Sequence, residues 1–164
     1  MRNIRSKPAL ITVVALLAGS LVAGSASAQN RRLQQLLANA DKIDCTFTTL
    51  VVGDWNGSET TTTVSPVEQK AGFFDIDIDE GTAESSGKFG SSFIVVRQAH
   101  TYLHFMQMLS SGPLYVTTVL AEETTDGKLK AIHTRHEYTP TKVPGFTSRP
   151  EMYLGECTVE PHAE

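Results

Sequence analysis

From Thr101 to Tyr138 the chain reads TYLHFMQM, SSGP, LYVTTVL, AEETTDG and KLKAIHTRHEY, three extended runs separated by two turn signals. In the second run Leu114, Val116, Thr118 and Leu120 fall on one side at period two, and Tyr115, Thr117 and Val119 on the other. That alternation, in residues that are β-branched or aromatic, predicts strands. Ser110-Ser111-Gly112-Pro113 and Asp126-Gly127 predict tight connections, and tight connections join antiparallel neighbours. The three runs are therefore expected to form a meander. In its first run one face carries Leu103 and Phe105 and the other Tyr102, His104, Met106 and Met108. Neither face is cleanly polar, as a sheet with one side open to water would require. The sheet is thus expected to be covered on both sides or to enclose something.

The same reading extends outward. Leu33, Leu36, Leu37 and Ala40 mark one face of a short helix over 30–40, with Asn30 in position to cap it. Cys45, Phe47, Thr49, Val51, Gly53 and Trp55 alternate along a first strand, and Asn56-Gly57 predicts a hairpin. The Thr-rich SETTTTVSPV that follows has little apolar content and contains Pro66, so it reads as an exposed or edge strand. Phe74, Ile76 and Ile78 alternate with Asp75, Asp77 and Asp79, a half-buried strand with an acidic outer face. A calcium loop is the competing reading, but the glycine comes one place late, at Gly81, and Ser86 stands where a twelfth-position Glu belongs. Residues 87–92 read as a loop, Phe93 to Gln98 as a strand, and Met152 to Val159 as the last strand, with a disordered tail beyond. The expected fold is all-β, an antiparallel meander of about eight strands closed as a barrel, with a β-sandwich as the alternative.

Composition adds location and charge. Arg2, Arg5 and Lys7 precede an apolar stretch and then Ala26-Ser27-Ala28, the three-part pattern of a cleavable export signal over 1–28. A single β domain over 29–164 then remains, located in the periplasm or secreted, with no membrane association after cleavage. Removing three basic residues from the chain's 14 leaves 11 against 18 acidic ones, a net charge of −7 that argues against nucleic acid as a partner. The only two cysteines, Cys45 and Cys157, read as one disulfide in an exported chain. Closing so long a loop is worth roughly 4–5 kcal/mol by the chain-entropy model, and it ties the first strand to the last.

DEGTA, LHF, GPLYVTTVL, DGKLKAIHTRHEY, PGFTSRPE and YLGEC together resemble a group of small exported bacterial proteins. The resemblance covers most of the chain from Cys45 on and implies an envelope or secreted origin and one domain. It carries over no catalytic residue. Gly53-Asp54-Trp55 also resembles the G-x-W of lipocalin-like barrels, which opens the first strand in that family and here precedes a turn.

Candidate chemistry concentrates in His133, Arg135, His136, Glu137 and Tyr138. On a strand His133, Arg135 and Glu137 share one face. The favoured expectation is a non-enzymatic protein that binds a small, partly apolar ligand, lined by Tyr102, His104, Met106, Tyr115, His133, Arg135 and Glu137. No cofactor and no metal site is expected. Two alternatives stand beside it: a structural or inhibitory envelope protein acting through an apolar outer face, as a homodimer or with a partner, and a metal-dependent hydrolase using His104, His133, His136 and Glu137.

Overall fold

A computed structural model describes residues 28–86, 94–110, 112–141 and 148–163. The fold described here lies in the unit over residues 33–164. The first 27 residues of the expected export signal, the loop at 87–92, Phe93 and residues 142–147 of the long loop before the last strand lie outside the described residues.

A helix over 28–38 (α1) leads into eight strands: β1 (Ala40–Asn56), β2 (Glu59–Asp77), β3 (Thr82–Ser85), β4 (Ile94–Ala99), β5 (Tyr102–Met108), β6 (Leu114–Glu123), β7 (Leu129–His136) and β8 (Glu151–Pro161). Each strand pairs antiparallel with the next, and β8 pairs back onto β1 to close a barrel. That closure excludes the sandwich, and it removes most of the open sheet edges that invite aggregation. Of the tail expected to be disordered, Glu160 and Pro161 instead end β8, paired to Lys42 and Ala40. The turns fall where Asn56-Gly57 and Asp126-Gly127 predict them, with Gly57 and Gly127 at φ 65° and 75°. Only glycine takes up that left-handed backbone without a steric cost.

Cys45 and Cys157 are bonded, and they are directly opposed across the β1–β8 seam with Cα atoms 4.0 Å apart. Two positions further along, Phe47 opposes Gly155. A Cβ on Gly155 would press into the Thr46 carbonyl and the Phe47 backbone, so this seam closes only with glycine there. The disulfide and the glycine thus fix the same junction by different means.

Besides shifts between Ala40 and Lys42 and between Val119 and Glu123, two irregularities bear on the site. The register of β1 shifts between Phe47 and Thr49 against both of its neighbours. On β2 the shift lies between Phe74 and Asp77, where Asp75 has φ 50°, a left-handed conformation that Asp tolerates better than most residues. The extra residue puts Phe73 and Ile76 inside together, three apart rather than two, and leaves Phe74 and Ile78 only partly buried. The β1–β2 hairpin also overhangs the barrel: β8 accompanies β1 only as far as Val52, and β3 meets β2 only from Phe73. Pro66 sits in that overhang, where a missing N–H costs no ladder bond to β3.

The core is strongly apolar toward the end where β1 begins. Leu33 and Leu37 of α1 join Ile43, Cys45, Ile76, Val96, Leu103, Val119, Leu129 and Cys157 in one buried cluster. The sequence-predicted helix face is therefore satisfied by packing onto the barrel interior, which a helix this short needs in order to persist.

Candidate functional site

At the opposite end the interior turns polar. Strand pairing lays two rows across it: Gln107, Tyr115, Arg135 and Glu151 toward the rim, and Phe105, Thr117, His133 and Tyr153 one layer deeper. Alternation on β7 sends His133 and Arg135 inward along with Leu129 and Ala131, and on β8 Tyr153 faces the same way as Cys157.

His133 Nδ1 lies 2.8 Å from Thr117 Oγ1, and Arg135 Nε donates to His133 Nε2 at 3.4 Å. Because a guanidinium nitrogen only donates, Nε2 is the acceptor, and a neutral His133 carries its proton on Nδ1 toward Thr117. Burial, seconded by the Arg135 charge, pulls the His133 pKa down to about 4, so the ring is neutral at neutral pH. Arg135 Nη1 stands 3.5 Å from Glu151 Oε2, and the guanidinium lies over the rings of Tyr115 and Tyr153 at 5.5 and 5.1 Å. Tyr153 donates to Glu151 at 2.5 Å and Tyr115 to Glu137 at 3.3 Å. Burial first, then the neighbouring carboxylates, raise both phenols, so both remain protonated donors. The Phe47 ring closes the floor against His133 and Tyr153 at 5.7 and 6.3 Å.

These groups border a pocket of about 580 Å³. Arg135, His133 and Tyr115 form one wall, Phe47, Ala71 and Phe73 the apolar floor, and Glu68 and Lys70 part of the rim. The volume lies within the range of small-molecule sites. The wall is preorganised, because nearly every polar group in it already holds a partner before any ligand arrives. His133 is placed as a donor and not as a base toward the Thr117 hydroxyl, because its Nδ1 carries the proton and its Nε2 accepts from Arg135.

Of the seven residues expected to line a site, Tyr115, His133 and Arg135 border the pocket, and Glu137 stands behind it as the acceptor for Tyr115. Tyr102, His104 and Met106 are on the outer face instead. On β5 it is Leu103 and Phe105 that are buried, so their even-numbered neighbours must point out. There Tyr102 stacks on His104 at 5.8 Å and His104 Nδ1 meets Thr118 Oγ1 at 3.0 Å. His136 is also outside, 3.1 Å from Thr134 Oγ1. The three histidines of the metal-site reading are therefore divided between the two faces, and among the described residues no three metal-ligating side chains converge. Phe47, Glu151 and Tyr153 belong to the site and were not expected. Their signal was the disulfide: once Cys45 and Cys157 face each other inside, Phe47 and Tyr153 fall on the interior side by alternation.

Trp55, in the Gly53-Asp54-Trp55 motif, lies on the overhanging hairpin, 49% exposed and edge-on to Tyr138 at 5.2 Å. It takes no part in the barrel core. A disulfide such as Cys45–Cys157 persists in oxidising compartments, which places the protein outside the cytoplasm. No helix among the described residues is long and apolar enough to cross a membrane. Compared with protein-family models, curated proteins and solved structures, the chain matches none.

Proposed function

We propose that this is a non-enzymatic binding protein of the periplasm or cell exterior, which holds a small, partly apolar molecule at the polar end of its barrel. The observation that carries this reading is the pocket of about 580 Å³ with an aromatic floor and a half-buried, pre-paired Arg135 in its wall. A barrel of eight strands is often filled by its own side chains, and here a pocket remains beside Arg135, His133 and Tyr115. The export signal read at 1–28 and the disulfide support the location. The test is a fluorescence titration with N-phenyl-1-naphthylamine, an uncharged apolar dye, on the wild type and on Ala71→Phe, which adds a ring to the pocket floor. Saturable binding that Ala71→Phe weakens by about tenfold or more is the expected result. Equal binding by both proteins would put the dye elsewhere and end this reading.

A second reading, self-association through the outer face, is favoured by one specific observation. Val95, Met106, Val116, Thr134, Met152, Val51 and Val64 are successive Cα partners across seven strands, an almost wholly apolar outer row. Met152 and the neighbouring Leu154 are 37% and 39% exposed, and Met108 is 72% exposed. Sedimentation of the wild type beside Met152→Lys should show a dimer that the charge disrupts; a monomer in both removes this reading.

A further inference from the structure

We infer that the pocket takes a ligand whose head group is an uncharged hydrogen-bond acceptor, such as an amide or ketone carbonyl, and discriminates against both carboxylate and ammonium head groups. This rests on the reading of the pocket as a ligand site, and it follows from how the charges there are arranged. Arg135 borders the pocket directly and presents only donors, whereas Glu151 and Glu137 stand behind it, outside the pocket lining. Its guanidinium carries five N–H bonds, of which Nε is committed to His133, while Nη1 contacts Glu151 at the long distance of 3.5 Å. Donor capacity toward the pocket is therefore left over. His133 cannot compete for the head group, since Thr117 and Arg135 occupy its two nitrogens.

The charge of Arg135 is already offset. Glu151 pairs with it directly, and Glu137 brings a second carboxylate that Tyr115 binds at 3.3 Å. Arg135 and the two carboxylates behind it make a cluster with a formal charge of −1. At the rim, Glu68 and Lys70 pair with each other at 3.4 Å and add nothing net. A carboxylate head group at Arg135 would thus be the third negative charge in a partly desolvated cluster, where like charges repel more strongly than in water. An ammonium head group would abut the guanidinium, like charge against like with donors facing donors, while the two carboxylates stand behind Arg135 and Tyr115, outside the pocket lining. A carbonyl oxygen accepts from Arg135 and meets neither penalty, and its apolar body rests on Phe47 and Phe73.

The experiment is competition against N-phenyl-1-naphthylamine at neutral pH by decanamide, decanoate and decylammonium, which share one chain and differ in head group. On the wild type decanamide should compete about tenfold more tightly than either charged compound. Glu151→Gln keeps an amide oxygen for Tyr153 and Arg135 but removes a charge, so decanoate should gain about tenfold while decanamide changes little. Arg135→Gln should reduce decanamide's advantage. Decanoate or decylammonium binding tightest to the wild type, or the three binding alike, would overturn the inference while dye binding kept the pocket reading alive. Absence of dye binding together with absence of competition would overturn both. If Glu151→Gln does not fold, the ranking on the wild type decides.

Discussion

Where β1 begins, the barrel interior is sealed by Leu33 and Leu37 over Ile43, Val96, Leu103 and Val119, with a disulfide just beneath. Where β7 ends, the same strands present Tyr115, Arg135 and Glu151 around a pocket of about 580 Å³. The first end buries hydrocarbon, and every CH₂ removed from water there stabilises the fold by about 0.8 kcal/mol. The second partly buries a guanidinium, two carboxylates and a neutral histidine, which costs desolvation that paired contacts only offset. On the proposed function, stability and recognition belong to opposite ends of one sheet, with the closed end holding the open end in shape.

The comparison can be broken most sharply at the seam. Replacing Cys45 and Cys157 with Ala should cost about 4 kcal/mol and lower Tm on the order of 10–20 °C, measured by thermal unfolding. A shift of only a degree or two would mean that Gly155 and the strand pairing suffice to close the barrel. Next comes Leu37, which is 1% exposed. Leu37→Ala should cost roughly 2–5 kcal/mol by urea unfolding and leave dye affinity unchanged, because the cavity it makes is at the far end. A loss of dye affinity equal to that of Ala71→Phe would show that the two ends are not separable.

The third effect is on pH. His133 has its pKa lowered in the fold, so between about 6.5 and 4 the unfolded chain binds the proton that the folded chain refuses. Stability should therefore fall as pH drops through that window, by as much as ~3 kcal/mol, and be flat above it for this group. His133→Gln should remove that part of the slope in a series of unfolding curves; an unchanged slope would assign it elsewhere. Arg135→Gln should cost less than the closed-end changes, about 1–2 kcal/mol, since Glu151 keeps Tyr153 as a donor. Smallest of all is Lys128–Glu156, an ion pair at 2.6 Å on the surface. Its removal should leave Tm within error.

Much of the fold was legible because each signal is local. Gly57 and Gly127 sit where Asn-Gly and Asp-Gly placed turns, and the alternation of Tyr115, Thr117 and Val119 is kept in β6. What was not legible is which face of a run looks inward when both are apolar. On β5 Met106 and Phe105 are equally apolar to a sequence pattern, and only the pairing of Phe105 with Thr117 settles that Phe105 is inside. On β2 a one-residue bulge at Asp75 put Phe73 inside in place of Phe74, while Ile76 kept the inward side that the pattern suggested. Arg135 and His133 were legible as a pair on one strand face, but Glu151 and Tyr153 come from a strand 16 residues or more downstream and meet them only through the closed sheet.

The central claim, that the polar end and not the outer face receives the ligand, is tested most directly by amide hydrogen exchange with and without saturating decanamide. The account predicts that protection gained on binding is concentrated at Gln107, Tyr115, His133 and Arg135 and along β2 from Gln69 to Phe73, with none gained at Leu33, Leu37 or Ile43. Protection centred instead on Met152, Leu154 and Val116, the outer row, would contradict it and leave self-association through that face as the reading to pursue.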